Sequence, residues 1–223
     1  LGAALGPIAF GLVLAVELLL GWASVGRGHV DAPGLALGAL TYLGVGAYEE
    51  MFARGFLLQV FARAAGPVPA LLLSSVVFAG LHAINPNASL LAIVGLVIAG
   101  LVLASGYLVT GRLWLPIAFH WSWNFAQGPL FGFPVSGVAA GSLLTVAPTG
   151  PDWLTGGAFG PEAGALGLLA EAVAVVLMLA WRRAGSGWPP TLAVVALAGV
   201  AVLFLGGLLA GPAAQPQAHG VQP

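Results

Sequence analysis

From Ala88 to Val109 the chain runs without one charged side chain. About 20 consecutive apolar residues suffice to cross a bilayer as a helix. Inside lipid, a helix or a closed barrel is the only backbone form that satisfies its own hydrogen bonds. Comparable stretches recur along the sequence, and only 6% of residues are charged while 60% are hydrophobic. A soluble domain carries about 25% charged residues. These features predict an all-α fold, a polytopic membrane helix bundle of about seven transmembrane helices, placed in the cell membrane with the lipid bilayer as its surroundings.

The predicted spans follow from where polar and helix-breaking residues interrupt the runs. Leu1 to Trp22 is a first helix whose only charge, Glu17, is expected to snorkel from a helix end. Ser24 to Pro33 reads as a polar loop and Leu35 to Phe61 as a long second helix. The Pro- and Gly-containing stretch Ala64 to Pro69 is a turn, followed by a third helix over Ala70 to Ile84, which Asn85, Pro86 and Asn87 stop. Ala88 to Val109 is the fourth helix and Leu113 to Gln127 a short fifth, separated by Thr110, Gly111 and Arg112. Gly128 to Pro161 is a long loop before the sixth helix, Glu162 to Trp181. Pro190 to Ala210 is the seventh. Residues 1–210 form one helical domain, with its motif core at 44–125, and 211–223 form a disordered tail. With seven spans, Arg63, Arg112, Arg182 and Arg183 share one side and Arg27 takes the other, which makes the first side cytoplasmic.

Composition removes several classes of function. A net charge of −1 offers no basic surface, so no nucleic-acid partner is expected. There is no cysteine, which excludes disulfides, thiol catalysis and thiolate metal sites. All basic residues are arginine, and with abundant Ala, Gly and Pro this points to a GC-rich bacterial genome and an inner-membrane location. The chain opens on Leu1 inside an apolar run, which reads as a fragment or processed form, and no signal-peptide pattern is present.

Against this background, Glu49 and Glu50 are the costliest residues. A charge at the centre of a membrane helix costs about 2.5–3.5 kcal/mol on insertion scales, and such residues mark function. Arg54 lies four residues after Glu50, on the same helical face. At 100° per residue, Glu50 and Arg54 are about 40° apart, whereas Glu49 and Arg54 are about 140° apart. Arg54 therefore neutralises Glu50 as a structural support, and Glu49 is left for chemistry. Two further pairs have the same spacing on other helices: Phe78 with His82, and His120 with Asn124.

These groups suit hydrolysis of a peptide bond, which requires a base for water, a donor for the oxyanion and a proton for the leaving amine. Glu49 is expected to take the water proton. His82 orients the water or carries protons, and His120 with Asn124 donates to the oxyanion. Two histidines and a glutamate also match a catalytic zinc site, so Glu49, His82 and His120 are the metal ligands if a metal is used. No cofactor is favoured, and zinc is the alternative. Neither His-Glu-x-x-His, Gly-x-Ser-x-Gly nor Gly-x-Gly-Asp occurs. Ser122 reads as a helix-packing serine and Ser136 as a turn residue. Asp152, Glu162 and Glu171 read as loop or helix-start charges; His29 and His219 fall in a loop and the tail.

The series Glu-Glu-x-x-x-Arg at 49–54, Phe-x-x-x-His at 78–82 and His-x-x-x-Asn at 120–124 resembles the CAAX protease and bacteriocin-processing family, also called the ABI family, which includes the type II CaaX prenyl endopeptidases. Thr110 to His120 is similar to that family's approach to its third motif, and the resemblance spans Gly44 to Phe125. It implies an all-α intramembrane endopeptidase with its site in a cavity open to one membrane face. It also implies catalytic roles for Glu49, His82 and His120 and an oxyanion role for Asn124, with Glu50 and Arg54 completing the first motif. The family is often labelled a metalloprotease family, while a glutamate-activated water without metal is also proposed for it. The expected partner is a peptide or membrane-protein substrate. Two other readings use the same residues: a proton-coupled transporter with Glu49 and His82 as a relay, and a non-catalytic bacteriocin-immunity or binding protein.

Overall fold

The structure is a computed structural model and describes residues 2–181. The predicted seventh helix, the tail, Arg182, Arg183 and His219 lie outside the described residues.

Helix α1 covers Gly2–Leu19, and strand β1 follows at Ala23–Arg27. Helix α2, Ala32–Glu50, starts where the Asp31 carboxylate accepts the Gly34 N–H at 3.0 Å, a side-chain cap for an otherwise orphaned backbone donor. It runs without a break through a π-helical stretch, Met51–Leu57, into α3, Leu58–Ala65. Gly66, at φ 86°, ends α3, and α4 begins at once as Pro67–Leu81. Helix α5 spans Leu90–Thr110. Helix α6, Trp114–Phe125, continues into a second π-helical turn, Ala126–Leu130. Strand β2 (Leu144–Pro148), the short α7 (Asp152–Thr155), a 3₁₀ turn (Pro161–Ala163) and α8 (Ala165–Trp181) complete the order.

The fold is mostly helical, as expected. Among the described residues, α1 and α5 are the two helices both long and apolar enough to cross a membrane unaided; Pro67–Leu81 and Ala165–Leu179 are apolar but shorter. The continuous α2–α3 rod fails on composition because it carries Glu49, Glu50, Arg54 and Arg63. The two strands correct the reading of 24–33 and 128–161 as loops. Ala23–Arg27 pairs antiparallel with Leu144–Pro148, Ala23 opposite Pro148 and Arg27 opposite Leu144. Each segment is only five residues long, and each partner lies far away in sequence.

Helix α6 is central, packing on α1, α2 and α5, while α5 also meets α4 and α8. Close approach depends on missing side chains. A Cβ on Gly6 would fall on the backbone carbonyl of Ser122, and the Ser122 hydroxyl donates to Gly2 O at 2.9 Å and accepts the Gly6 N–H at 3.2 Å. Ser122 is thus the packing residue its position suggested, and it locks α1 to α6. Small residues at helix crossings are the usual device in membranes, where lipid removes the hydrophobic drive to associate. Gly6→Ala is expected to lower stability in detergent by about 1–3 kcal/mol, the cost of overpacking a filled contact, read as an earlier thermal unfolding transition. Glu17 does not snorkel: it is fully buried on α1, and neither carboxylate oxygen has a hydrogen-bond partner among the described residues.

Candidate active site

The π-helical stretch fixes the first part of the site. A π turn closes hydrogen bonds one residue further along than an α turn, and such insertions occur often at functional sites. Here the Leu58 N–H reaches Ala53 O, and the Gln59 side chain donates to Arg54 O at 3.1 Å. Despite the altered winding, Arg54 and Glu50 meet as their spacing required. Arg54 Nη1 donates to Glu50 Oε1 at 2.7 Å, with the side chains 1% and 0% exposed. Arg54 does more than neutralise one acid. Its Nη2 donates to the Gly100 carbonyl on α5 at 2.7 Å, and the guanidinium lies 4.7 Å from the centre of the Phe78 ring on α4. The guanidinium is planar and carries five donors, so one side chain joins three helices. Gly100 permits this: a Cβ there would meet Ser75 Cβ at 2.8 Å.

Glu50 reaches further still. Its Oε1 also contacts His120 Nδ1 at 3.0 Å. A carboxylate only accepts, so this nitrogen carries the proton and donates, leaving Nε2 of the neutral ring with its lone pair free. His82, just past the end of α4, is fixed the same way by a different partner: its Nδ1 donates to the Phe78 carbonyl at 2.9 Å. Both Nε2 atoms face one point. Glu49 Oε2 lies 3.8 Å from His120 Nε2 and 3.9 Å from His82 Nε2. Those separations are too long for direct hydrogen bonds and are of the size that a single water can bridge. Glu49 retains 22% exposure, against 0% for Glu50. The structure therefore brings Glu49, His82 and His120 together, while Glu50 and Arg54 lie behind them. Asn124, one turn beyond His120, lines the same cavity.

That cavity measures about 240 Å³. Its lining includes Glu49, His82, His120 and Asn124 together with Ser136, Glu162 and Glu171. The two further acids were misread from the sequence. Glu162 is buried inside the 3₁₀ turn and not at the start of a solvated helix. It accepts the Ser136 N–H at 2.8 Å and the Ser136 hydroxyl at 2.7 Å, and Gln127 donates to its other oxygen. Burial pushes the Glu162 carboxyl above its ordinary value, and the hydrogen bonds from Ser136 and Gln127 pull it back. Ser136 sits at φ 46°, a region few non-glycine residues adopt, held there by Glu162 and by Asn85, whose amide donates to Ser136 O at 2.9 Å. Glu171 on α8 is 2% exposed and also not a surface charge. The signal that could have found it is a lone acid inside an otherwise apolar helix, a cost that marks function.

Two imidazoles and a carboxylate are a zinc donor set, and engagement of each Nδ1 elsewhere is how ligating histidines are oriented. The spacing is looser than the chemistry. Two ligand atoms on a tetrahedral zinc lie roughly 3.4 Å apart for bonds of about 2.0–2.1 Å, and among the described residues no group of three or more His, Cys, Asp or Glu is arranged to hold a metal ion.

The family model described as type II CAAX prenyl endopeptidase Rce1-like covers residues 30–126. That match supports a relationship to the CAAX protease and bacteriocin-processing family. The matched Rce1-like segment holds all three motifs, from the capping turn before α2 to the end of α6. Glu162 and Glu171 lie outside it. No curated protein and no solved structure matches the chain.

Proposed function

We propose that this protein is an intramembrane endopeptidase that hydrolyses a peptide bond with a glutamate-activated water. The Rce1-like family match supports a CAAX intramembrane protease. The observation that carries the mechanism is the convergence of both histidine Nε2 atoms on Glu49 Oε2. Glu49 takes one proton from water, whose other O–H points to His82 Nε2. The hydroxide attacks the carbonyl carbon. The oxyanion accepts from Asn124 and, when His120 is doubly protonated, from His120 Nε2–H; Glu50 at Nδ1 stabilises that imidazolium as a buried carboxylate does in a Ser-His-Asp triad. Glu49 then returns its proton to the leaving amine, so the proton count closes. Arg54 holds Glu50 in place for this task.

The surroundings follow from the same reading: a bacterial inner membrane, about seven spans, one helical domain and a peptide or membrane-protein substrate. The second reading is zinc-dependent hydrolysis, favoured by the way Phe78 O and Glu50 engage each Nδ1 and leave both Nε2 atoms facing Glu49. Glu49, His82 and His120 would hold the metal, which would lower the pKa of a bound water. Purified protein incubated with a chelator is expected to keep cleaving a fluorogenic membrane peptide while its metal content falls well below one per chain. Loss of cleavage on chelation, restored by zinc, would replace the first reading with the second; no cleavage of any peptide would remove both.

A further inference from the structure

Glu171 stands apart from everything the hydrolytic mechanism uses. It lies on α8, beyond the family-matched segment, in a helix whose other residues through Leu179 carry no charge. It is 2% exposed, it lines the cavity that contains Glu49, and its Oε2 has no hydrogen-bond partner among the described residues. Glu162, which lines the same cavity, spends its oxygens on Ser136 and Gln127. With Glu49, the described lining holds three carboxylates and no arginine, and the chain has no lysine to supply. Arg54 does not line this space; it is committed to Glu50 and Gly100.

An acid buried without a partner is costly, because desolvating it is offset only by an opposite charge or by donors placed against it. Among the described residues no such partner is placed against Glu171 Oε2, and Glu171 lines the cavity that holds Glu49. We propose that Glu171, backed by Glu162, is a specificity subsite that receives the basic side chain of an arginine or lysine near the scissile bond of the peptide substrate. This rests on the endopeptidase reading. Burial makes the site selective: a neutral side chain leaves Glu171 unpaired, and a basic one brings a partner that the described residues do not supply. The cation's own desolvation is offset by the same contact. Glu162 stays hydrogen-bonded and adds to the field that favours positive charge.

The test uses two fluorogenic membrane peptides that differ only in one arginine, replaced in the second by its neutral isostere citrulline, with that residue moved stepwise through the positions flanking the bond. At the matching position the wild-type protein is expected to favour the arginine peptide by about 10-fold or more in kcat/KM, carried by KM, in line with the coupling of buried charge pairs across interfaces. In Glu171→Gln the arginine-to-citrulline ratio falls towards one. A wild-type ratio near one at every position, or a ratio that Glu171→Gln leaves intact, overturns the subsite while cleavage itself upholds the endopeptidase. Fluorescence anisotropy of labelled, uncleaved peptides separates the opposite case. Tighter binding of the arginine peptide, lost in Glu171→Gln and without turnover of either peptide, upholds the subsite and removes the endopeptidase reading.

Discussion

Glu49→Gln is expected to lower peptide cleavage by about 10²–10⁴-fold, the contribution of a positioned general base, with little change in thermal unfolding. The substitution is nearly isosteric and removes only the ability to take a proton. Glu49 retains 22% exposure and makes no hydrogen bond through Oε2 among the described residues, so no structural partner is lost. The measurements are turnover of a fluorogenic peptide by the purified variant and its melting transition in the same detergent. Wild-type-like cleavage would end the assignment of Glu49 as base. It would also favour the non-catalytic immunity reading, whereas proton-driven flux in liposomes lost in the same variant would favour a transporter.

Arg54→Met is expected to act through stability. Removing one member of a buried ion pair leaves the other charge uncompensated and costs about 3–5 kcal/mol. Here the loss extends beyond Glu50: the Gly100 carbonyl loses its side-chain donor and Phe78 loses the cation over its ring. Arg54→Met alone is expected to unfold much earlier on heating, and the double variant with Glu50→Gln to recover part of the loss, since the stranded charge is gone. A double-mutant cycle on the melting transition isolates that coupling. Additive effects would mean that the pair is not energetically coupled. Activity is expected to fall even where the double variant folds, because His120 Nδ1 then faces an amide and not an anion.

The Glu50–Arg54 pair was legible because a four-residue spacing on a helix is local geometry, and the π-helical stretch begins after Glu50 without undoing it. The convergence of His82 and His120 on Glu49 involves three helices, so spacing alone nominated the residues without fixing their distances; their motif order supplied the link. Glu162 misled because a Pro-Glu dipeptide before an apolar run is a helix-start signal, whereas its burial comes from Ser136 and Gln127 folding over it. Glu17 misled in the same way, since a helix-end position says nothing about what packs there. The β ribbon had no local signature. Short strands of small and polar residues become strands only when a distant partner arrives, and here Ala23–Arg27 and Leu144–Pro148 supply each other's ladder.

That ribbon also sets an order of assembly. Its two strands are separated by all of the helices that carry the three motifs, α2 to α6, so its pairing waits until the chain has been made through Pro148. Contacts across so long a loop form late, after local helices have stacked. During synthesis, therefore, Glu49, His82 and His120 meet before the segment bearing Ser136 is clasped over the cavity and before Glu171 is present at all. On the proposed reading, the groups assigned to hydrolysis are synthesised before the carboxylate assigned to selectivity.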